Sequence, residues 1–201
     1  MIKCVVSDLG KVLLHFDNFI FFRKLAEYCP YSADAIARRF HEHQDIIQSF
    51  DTGKMEPADF YDKVLVILEA KIEQDAFFHI YNDVFSANAP VLDLLKRLKN
   101  DHRLILLSNT DIERFGFIKK KFPDIFLFDD YVLSYEVGYR KPHPEIYAEA
   151  LRKAQMPAQE CVFLDDMPEN IEGARKSKMS AILYGPHTDL EISLKKMNVS
   201  L

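Results

Sequence analysis

Four short apolar runs in the chain each end in side chains able to do chemistry. Asp8 closes Cys4-Val5-Val6-Ser7, and Ser108-Asn109-Thr110 closes Leu104-Ile105-Leu106-Leu107. Tyr131-Val132-Leu133 leads through Ser134 and Gly138 to Arg140-Lys141-Pro142, and Cys161-Val162-Phe163-Leu164 ends in Asp165-Asp166. A carboxylate can attack phosphorus and form an acyl phosphate, which splits one hard displacement into two easier ones. A hydroxyl beside the N–H groups of a helix start can hold phosphate oxygens, although Ser and Asn are also ordinary helix caps. A lysine followed by Pro142 and, two residues on, Pro144 has a restricted backbone, and its ammonium could neutralise both a carboxylate and an incoming phosphate. Two adjacent carboxylates repel each other unless a cation binds them, and Mg²⁺ favours a shell of one or two carboxylates, waters and phosphate oxygens.

The elements that must position these groups follow from the spacing of apolar residues. Short β-branched runs that end abruptly in polar residues read as buried strands, and ligands of open α/β sheets bind beyond the C-terminal strand edge. Between them lie helical patterns. Val91, Leu94, Leu95 and Leu98 fall at i, i+3, i+4 and i+7 behind Ala89-Pro90, where proline suits a first helical turn. The expected order from there is a strand over 103–107, a helix from about Asp111, a strand over 131–134 and a helix over 144–154. A strand over 161–164, a helix over 168–176 and a strand over 181–184 complete the alternation. Such repetition implies an α/β fold, a doubly wound, Rossmann-like parallel sheet covered on both faces.

One interval breaks the alternation. Asp8 and Ser108 stand 100 positions apart, whereas a parallel crossover needs only about a dozen residues. Residues 16–87 are therefore expected to be a helical insertion after the first strand, with 1–15 and 88–201 forming the core. Within the insertion, Phe19, Phe22, Ala26 and Cys29 are expected to share one helical face and Phe60, Val64 and Ile67 another. The run Val64 to Leu68 could be a strand by composition, but its context favours helix. Asp51-Thr52-Gly53 reads as a turn.

Composition narrows the classes of function. The chain has 201 residues, 26 basic against 31 acidic, for a net charge of −5. That excludes a broad nucleic-acid surface, which should be basic, but leaves room for a local positive pocket. A core of this size needs no staples, and the three cysteines Cys4, Cys29 and Cys161 read as reduced, buried thiols of a cytoplasmic protein. No apolar run approaches the length of a membrane span, and the N-terminus, with Asp8 so early, does not read as a signal peptide.

In their order and type, Asp8, Ser108, Lys141 within Gly138-Tyr139-Arg140-Lys141-Pro142, and Asp165-Asp166 resemble the motifs of the haloacid dehalogenase superfamily. The resemblance runs from about Ile2 to Tyr184. Within it, the chain resembles bacterial sugar-1-phosphate phosphatases with an Asp-Leu-Gly first motif and, more distantly, the phosphatase domain of soluble epoxide hydrolases. The resemblance implies a Mg²⁺-dependent phosphatase acting on a small phosphorylated metabolite, a sugar phosphate first, with the insertion as a cap. It implies Asp8 as nucleophile, Lys141 as catalytic and substrate-binding lysine, and Ser108 and Asn109 as phosphate-binding residues. Asp8, the Gly10 carbonyl and Asp166 would bind metal directly, with Asp165 acting through water. Asn170 would orient that loop, Gly173 would permit close helix–sheet packing, and Arg140 would be supporting or solvent-facing. A monomer or weak homodimer is expected, with neither nucleic acid nor membrane as partner.

The chain departs from the pattern at one position. Most phosphatases of that superfamily carry a second aspartate two residues after the nucleophile, to protonate the leaving group and activate water. Here that position is Gly10. His15, Asp17 or water could substitute. The alternative is a weak or inactive phosphate-binding regulatory protein on the same scaffold. The intact acidic pair argues against dehalogenation, and phosphoryl transfer of the mutase kind needs the missing group most. His41 and His43, two apart, fall on different helical faces and do not suggest a metal site.

Overall fold

The computed structural model describes residues 1–200. The chain opens with β1 (Cys4–Ser7), then β2 (Leu14–Phe16). Five helices follow: α1 (Asn18–Leu25), α2 (Ala33–Glu42), α3 (Gln44–Asp51), α4 (Pro57–Leu68) and α5 (Gln74–Asn82). After β3 (Phe85–Ala87) come α6 (Ala89–Leu98), β4 (Arg103–Ser108), α7 (Ile112–Lys121), β5 (Asp130–Leu133) and the single-turn α8 (Ser134–Val137). The chain continues through α9 (Pro144–Ala154), β6 (Cys161–Asp165), α10 (Pro168–Lys176), β7 (Ser180–Leu183) and α11 (Leu190–Lys196).

β1, β4, β5, β6 and β7 form one parallel sheet in the order β5-β4-β1-β6-β7. The chain winds outward from β1 through β4 to β5, then returns to the other side of β1 for β6 and β7. That reversal puts a topological switch point at β1, where a crevice opens beyond the strand ends. Successive side chains of each strand enter opposite layers. Val5, Leu104, Leu106 and Leu164 pack with Leu95 of α6, Ile118 of α7 and Leu194 of α11. Cys4, Val6, Ile105 and Leu107 pack with Ile146 and Tyr147 of α9 and Ile171 of α10. Burial on both faces explains why these strands read as continuous apolar runs rather than alternating ones.

The helices between β2 and β3 enclose a core of their own, centred on Phe21, Leu25, Phe50, Phe60, Phe77 and Tyr81. β2 and β3 pair antiparallel, with Leu14 opposite Ala87 and Phe16 opposite Phe85, so the helical stretch leaves and re-enters at adjacent points. The run from Val64 to Leu68 is helical, within α4 behind Pro57. Among the described residues no helix is long and apolar enough to cross a membrane.

Several details differ from the sequence expectations. α1 stops at Leu25 and tightens into a 3-10 turn over 26–28, with Cys29 extended beyond it. Phe21 and Leu25, not Phe19 and Phe22, form its buried face, because the helix is too short to carry a stripe out to Cys29. Ser134 does not end β5 but starts α8. Its hydroxyl accepts from the Thr110 amide at 2.9 Å and donates to the Thr110 carbonyl at 3.0 Å, tying the β4 and β5 ends together. All three cysteines are free thiols, but Cys29 is only half-buried. Gly173 faces a helix rather than the sheet: a Cβ there would lie 2.7 Å from the Tyr147 ring of α9.

Candidate active site

Each strand flanking the switch point delivers one component. β1 ends at Asp8, whose amide donates to the Leu164 carbonyl at 2.8 Å, so the acid is fixed by the sheet ladder itself. β4 ends at buried Ser108, and β6 at fully buried Asp165. Lys141 comes from the loop between α8 and α9. Asn109 holds that loop by accepting from the Lys141 amide at 2.8 Å and donating to the Lys141 carbonyl at 3.1 Å. The Asn109 side chain is therefore engaged with the lysine loop. The N-cap of α7 is Asp111, which accepts from the Arg114 amide, so neither Ser108 nor Asn109 caps that helix.

Lys141 Nζ uses all three of its donors. It donates to Asp8 Oδ1 at 2.5 Å, to Asp165 Oδ2 at 2.7 Å and to the Leu107 carbonyl at 3.0 Å. Asp165 is equally filled, accepting also from the Met167 amide at 2.8 Å and from Asn170 Nδ2 at 2.9 and 3.1 Å. Asn170 in turn receives a bond from Tyr147 Oη on its carbonyl at 2.8 Å. With its acceptor positions taken, Asp165 holds Lys141 and the loop before α10 in place. Asp166 is the more open carboxylate of the pair, 3.6 Å from Lys11 Nζ.

Burial sets the electrostatics of the cluster. It pushes the Asp8 carboxyl up to about 6, with Asp165 adding to the rise and Lys141 opposing it. Asp166 is also raised, again first by burial, with Lys11 opposing. Burial by itself would lower Lys141, but Asp8 and Asp165 outweigh it and the ammonium is held above its ordinary value. One carboxylate oxygen from each of Asp8, Asp165 and Asp166 lies within 4.8 Å of the others. That all-oxygen donor set, with more negative charge than Lys141 neutralises, suits a hard divalent cation.

Gly10 sits beside this cluster, and a Cβ there would come within 2.9 Å of Cε1 of Phe16. The ring fills the space an aspartate side chain would need. The two side chains suggested by sequence as substitutes are placed differently. Asp17 caps α1, accepting from the Phe19 amide at 2.8 Å. His15 is exposed on β2 and lines a shallow groove with Lys11, Asp166 and Tyr184. A separate cavity of about 360 Å³ lies where the helical stretch meets the sheet edge, reaching Gly10, Ser108 and Asn109 and lined also by His41 and Asp51. Arg140 is half-buried rather than fully solvent-facing: its Nε lies 3.3 Å from Asp51 Oδ2 of α3. Tyr81 Oη donates to Asp111 Oδ2 at 2.9 Å, and Arg114 Nη2 donates to Asn18 Oδ1 at 2.8 Å, two further polar contacts between the helical stretch and the sheet edge. Neither contact is visible in the sequence, because the partners lie 30 and 96 positions apart.

Comparison with known proteins gives a consistent picture. The family model described as haloacid dehalogenase-like hydrolase matches residues 2–178. A D-ribitol-5-phosphate phosphatase of Bacteroides thetaiotaomicron is 27% identical over 183 residues, 85% of this chain and 86% of the relative. A sesquiterpene phosphatase of Aspergillus oryzae is 28% identical over 134 residues, 64% of this chain and 66% of the relative. The crystal structure of a haloacid dehalogenase family enzyme of Bacteroides thetaiotaomicron, in complex with magnesium and inorganic phosphate, shares the fold. Its TM-score is 0.80 at 22% identity, covering 96% of this chain and 99% of that one.

Proposed function

The chain belongs to the haloacid dehalogenase-like hydrolase family, and on that premise we propose that it is a Mg²⁺-dependent phosphatase of a small phosphorylated metabolite, a sugar or polyol phosphate first. The observation that carries this reading is the convergence of Lys141 on Asp8 and Asp165 with Asp166 alongside. In this reading residues 16–87 act as a cap, and 1–15 with 88–201 form the catalytic core. The D-ribitol-5-phosphate phosphatase relative supports the substrate class.

An Asp8 oxygen attacks phosphorus and the ester bond breaks toward the leaving group, whose oxygen keeps the electron pair and takes up a proton. Water then attacks the phosphorus of the aspartyl phosphate, releasing inorganic phosphate and restoring Asp8. Lys141 holds Asp8 in one orientation and, as a cation against it, favours its ionised form. Asp165 and Asn170 keep Lys141 in register. Ser108 and its neighbouring amides hold phosphoryl oxygens. Asp8, Asp166 and the Gly10 carbonyl would hold Mg²⁺, with Asp165 beside them; the ion supplies charge neutralisation for the phosphoryl group.

A phosphate-release screen across sugar, polyol, aryl and prenyl phosphates, with Mg²⁺ and after EDTA, tests the reading. Hydrolysis that EDTA abolishes and Mg²⁺ restores is expected. Full activity in metal-free protein sinks the metal assignment, and release from none of the esters sinks the phosphatase reading. The Phe16 ring against Gly10 favours one second reading, a phosphate-binding regulatory protein with little turnover. It predicts Mg²⁺-dependent phosphate binding without hydrolysis.

A further inference from the structure

The cavity between the helical stretch and the sheet edge is lined by two kinds of side chain. Phe16, Phe21, Phe22, Phe40 and Phe85 give it aromatic surface, while Asn18, Asp51, Arg114 and Arg140 give it charge and polarity. Most of its polar groups are already engaged within the protein. Asp111 accepts from the Arg114 amide and from Tyr81 Oη, and Arg114 donates through Nη2 to Asn18, although its Nε, like that of Arg140, is buried without a partner among the described residues. Asp51 and Arg140 are different. They form an ion pair at 3.3 Å, with side-chain exposures of 13% and 31%. Yet no hydrogen bond joins them, and Arg140 Nε is buried without a partner among the described residues. A largely buried carboxylate that lacks hydrogen-bond donors is costly. Burial accordingly pushes the Asp51 carboxyl up to about 6, against the opposing charge of Arg140.

A hydroxyl group fits this pair, because it can donate to the carboxylate and accept from the guanidinium at once. A hydrocarbon chain can do neither. Aromatic faces beside such a pair suit the C–H surface of a sugar or polyol, whose hydroxyls lie along its edges. Resting on the phosphatase reading above, we propose that Asp51 and Arg140 are the specificity residues of the site. They hold a hydroxyl of the leaving group and so select polyhydroxylated phosphate esters over apolar ones.

The test compares the wild-type protein with Asp51→Asn and Arg140→Gln. It measures kcat/KM for ribitol 5-phosphate and glucose 1-phosphate against hexyl phosphate and farnesyl phosphate, whose leaving alcohols are not less basic than those of the sugar esters, with thermal melting to verify folding. Wild type should prefer a hydroxylated ester. In each variant the ratio of hydroxylated to apolar kcat/KM should fall about ten- to hundredfold, the range for losing one hydrogen bond to a charged group, mainly through KM. An unchanged ratio, or a wild-type preference for the apolar esters, overturns the proposal and leaves the pair as a structural tie. If wild type hydrolyses none of them, the phosphatase reading fails and calorimetric binding decides the specificity claim separately. A loss of ribitol 5-phosphate affinity in Asp51→Asn that exceeds the loss for inorganic phosphate upholds it. Equal losses, or no ribitol 5-phosphate binding by wild type, overturn it. Arg140→Gln keeps the test open should Asp51→Asn fail to fold.

Discussion

The sheet edge and the cavity wall treat polar groups in opposite ways. At the edge, every donor of Lys141 is used and Asp165 is filled from three directions. In the cavity, Asp51 and Arg140 meet as charges without a hydrogen bond. A saturated network has one arrangement, as the proposed nucleophile would need in order to be held in place before substrate arrives. An unsaturated pair keeps hydrogen-bonding capacity for something that arrives later. The helices that carry Asp51 have their own aromatic core, so this wall can change its lining without disturbing the strand ends.

The strongest way to break the comparison is to remove the proposed nucleophile. Asp8→Asn should lower turnover by roughly 10³-fold or more, the scale seen when a covalent group is deleted. It should also remove the base-labile protein-bound phosphate that rapid quench detects in wild type. Wild-type turnover in Asp8→Asn would show that the saturated edge is not the reacting centre.

Asp165→Asn tests how far the edge network depends on its full set of partners. It leaves Lys141 with one carboxylate and should destabilise the fold by roughly 3 kcal/mol in urea titration. Asp166→Asn, at the more open carboxylate, should instead leave stability nearly unchanged and weaken Mg²⁺ binding measured by calorimetry. Reversal of these two effects would exchange the roles assigned to the pair.

Gly10 lies where the two regions meet. With no acid there, rates should fall as the leaving alcohol becomes more basic. Gly10→Asp alone must displace the Phe16 ring and should cost about 1–3 kcal/mol of stability. Gly10→Asp with Phe16→Ala should flatten the dependence on leaving group, since general acid help is worth about 10²–10⁴-fold. A flat dependence already present in wild type would mean that another cavity residue supplies the proton, with His41 and Asp51 the first to mutate.

The smallest expected effect is on stability against pH. Burial pushes the Asp51 carboxyl up to about 6 in the folded protein, against about 4 in the unfolded chain. The native state therefore binds that proton more tightly, and stability is lost as pH rises from about 4 to about 6. Asp8 behaves in the same sense, so the diagnostic quantity is the difference between wild type and Asp51→Asn in urea titrations across that window. A difference that stays constant would show that burial does not govern Asp51.

The periodic part of the molecule is legible in the sequence alone. β-branched runs that end in Asp8, Ser108 and Asp165-Asp166, with helical spacing between them, announce a parallel sheet with its chemistry along one edge. The order of those residue types carries the family resemblance, and the 100-position gap between Asp8 and Ser108 exposes the helical stretch. These features can be read because burial on a sheet face and exposure at a strand end act on consecutive residues. Local sequence misplaces groups whose partners are distant. Asp17 reads as a possible acid and is a helix cap. Arg140 reads as supporting or solvent-facing, and the residue it meets, Asp51, cannot be read from its neighbours in the chain. Asn109 gives no sign that its side chain clamps the Lys141 backbone. Asp51 reads only as part of a turn, because nothing within reach along the chain reveals that α3 folds back against the loop after α8. The residue types and their spacing carry the family resemblance and the chemistry proposed from it. Only the packing of the helical stretch on the sheet edge decides which polar groups are filled and which are left open, because hydrogen-bond satisfaction depends on neighbours in space.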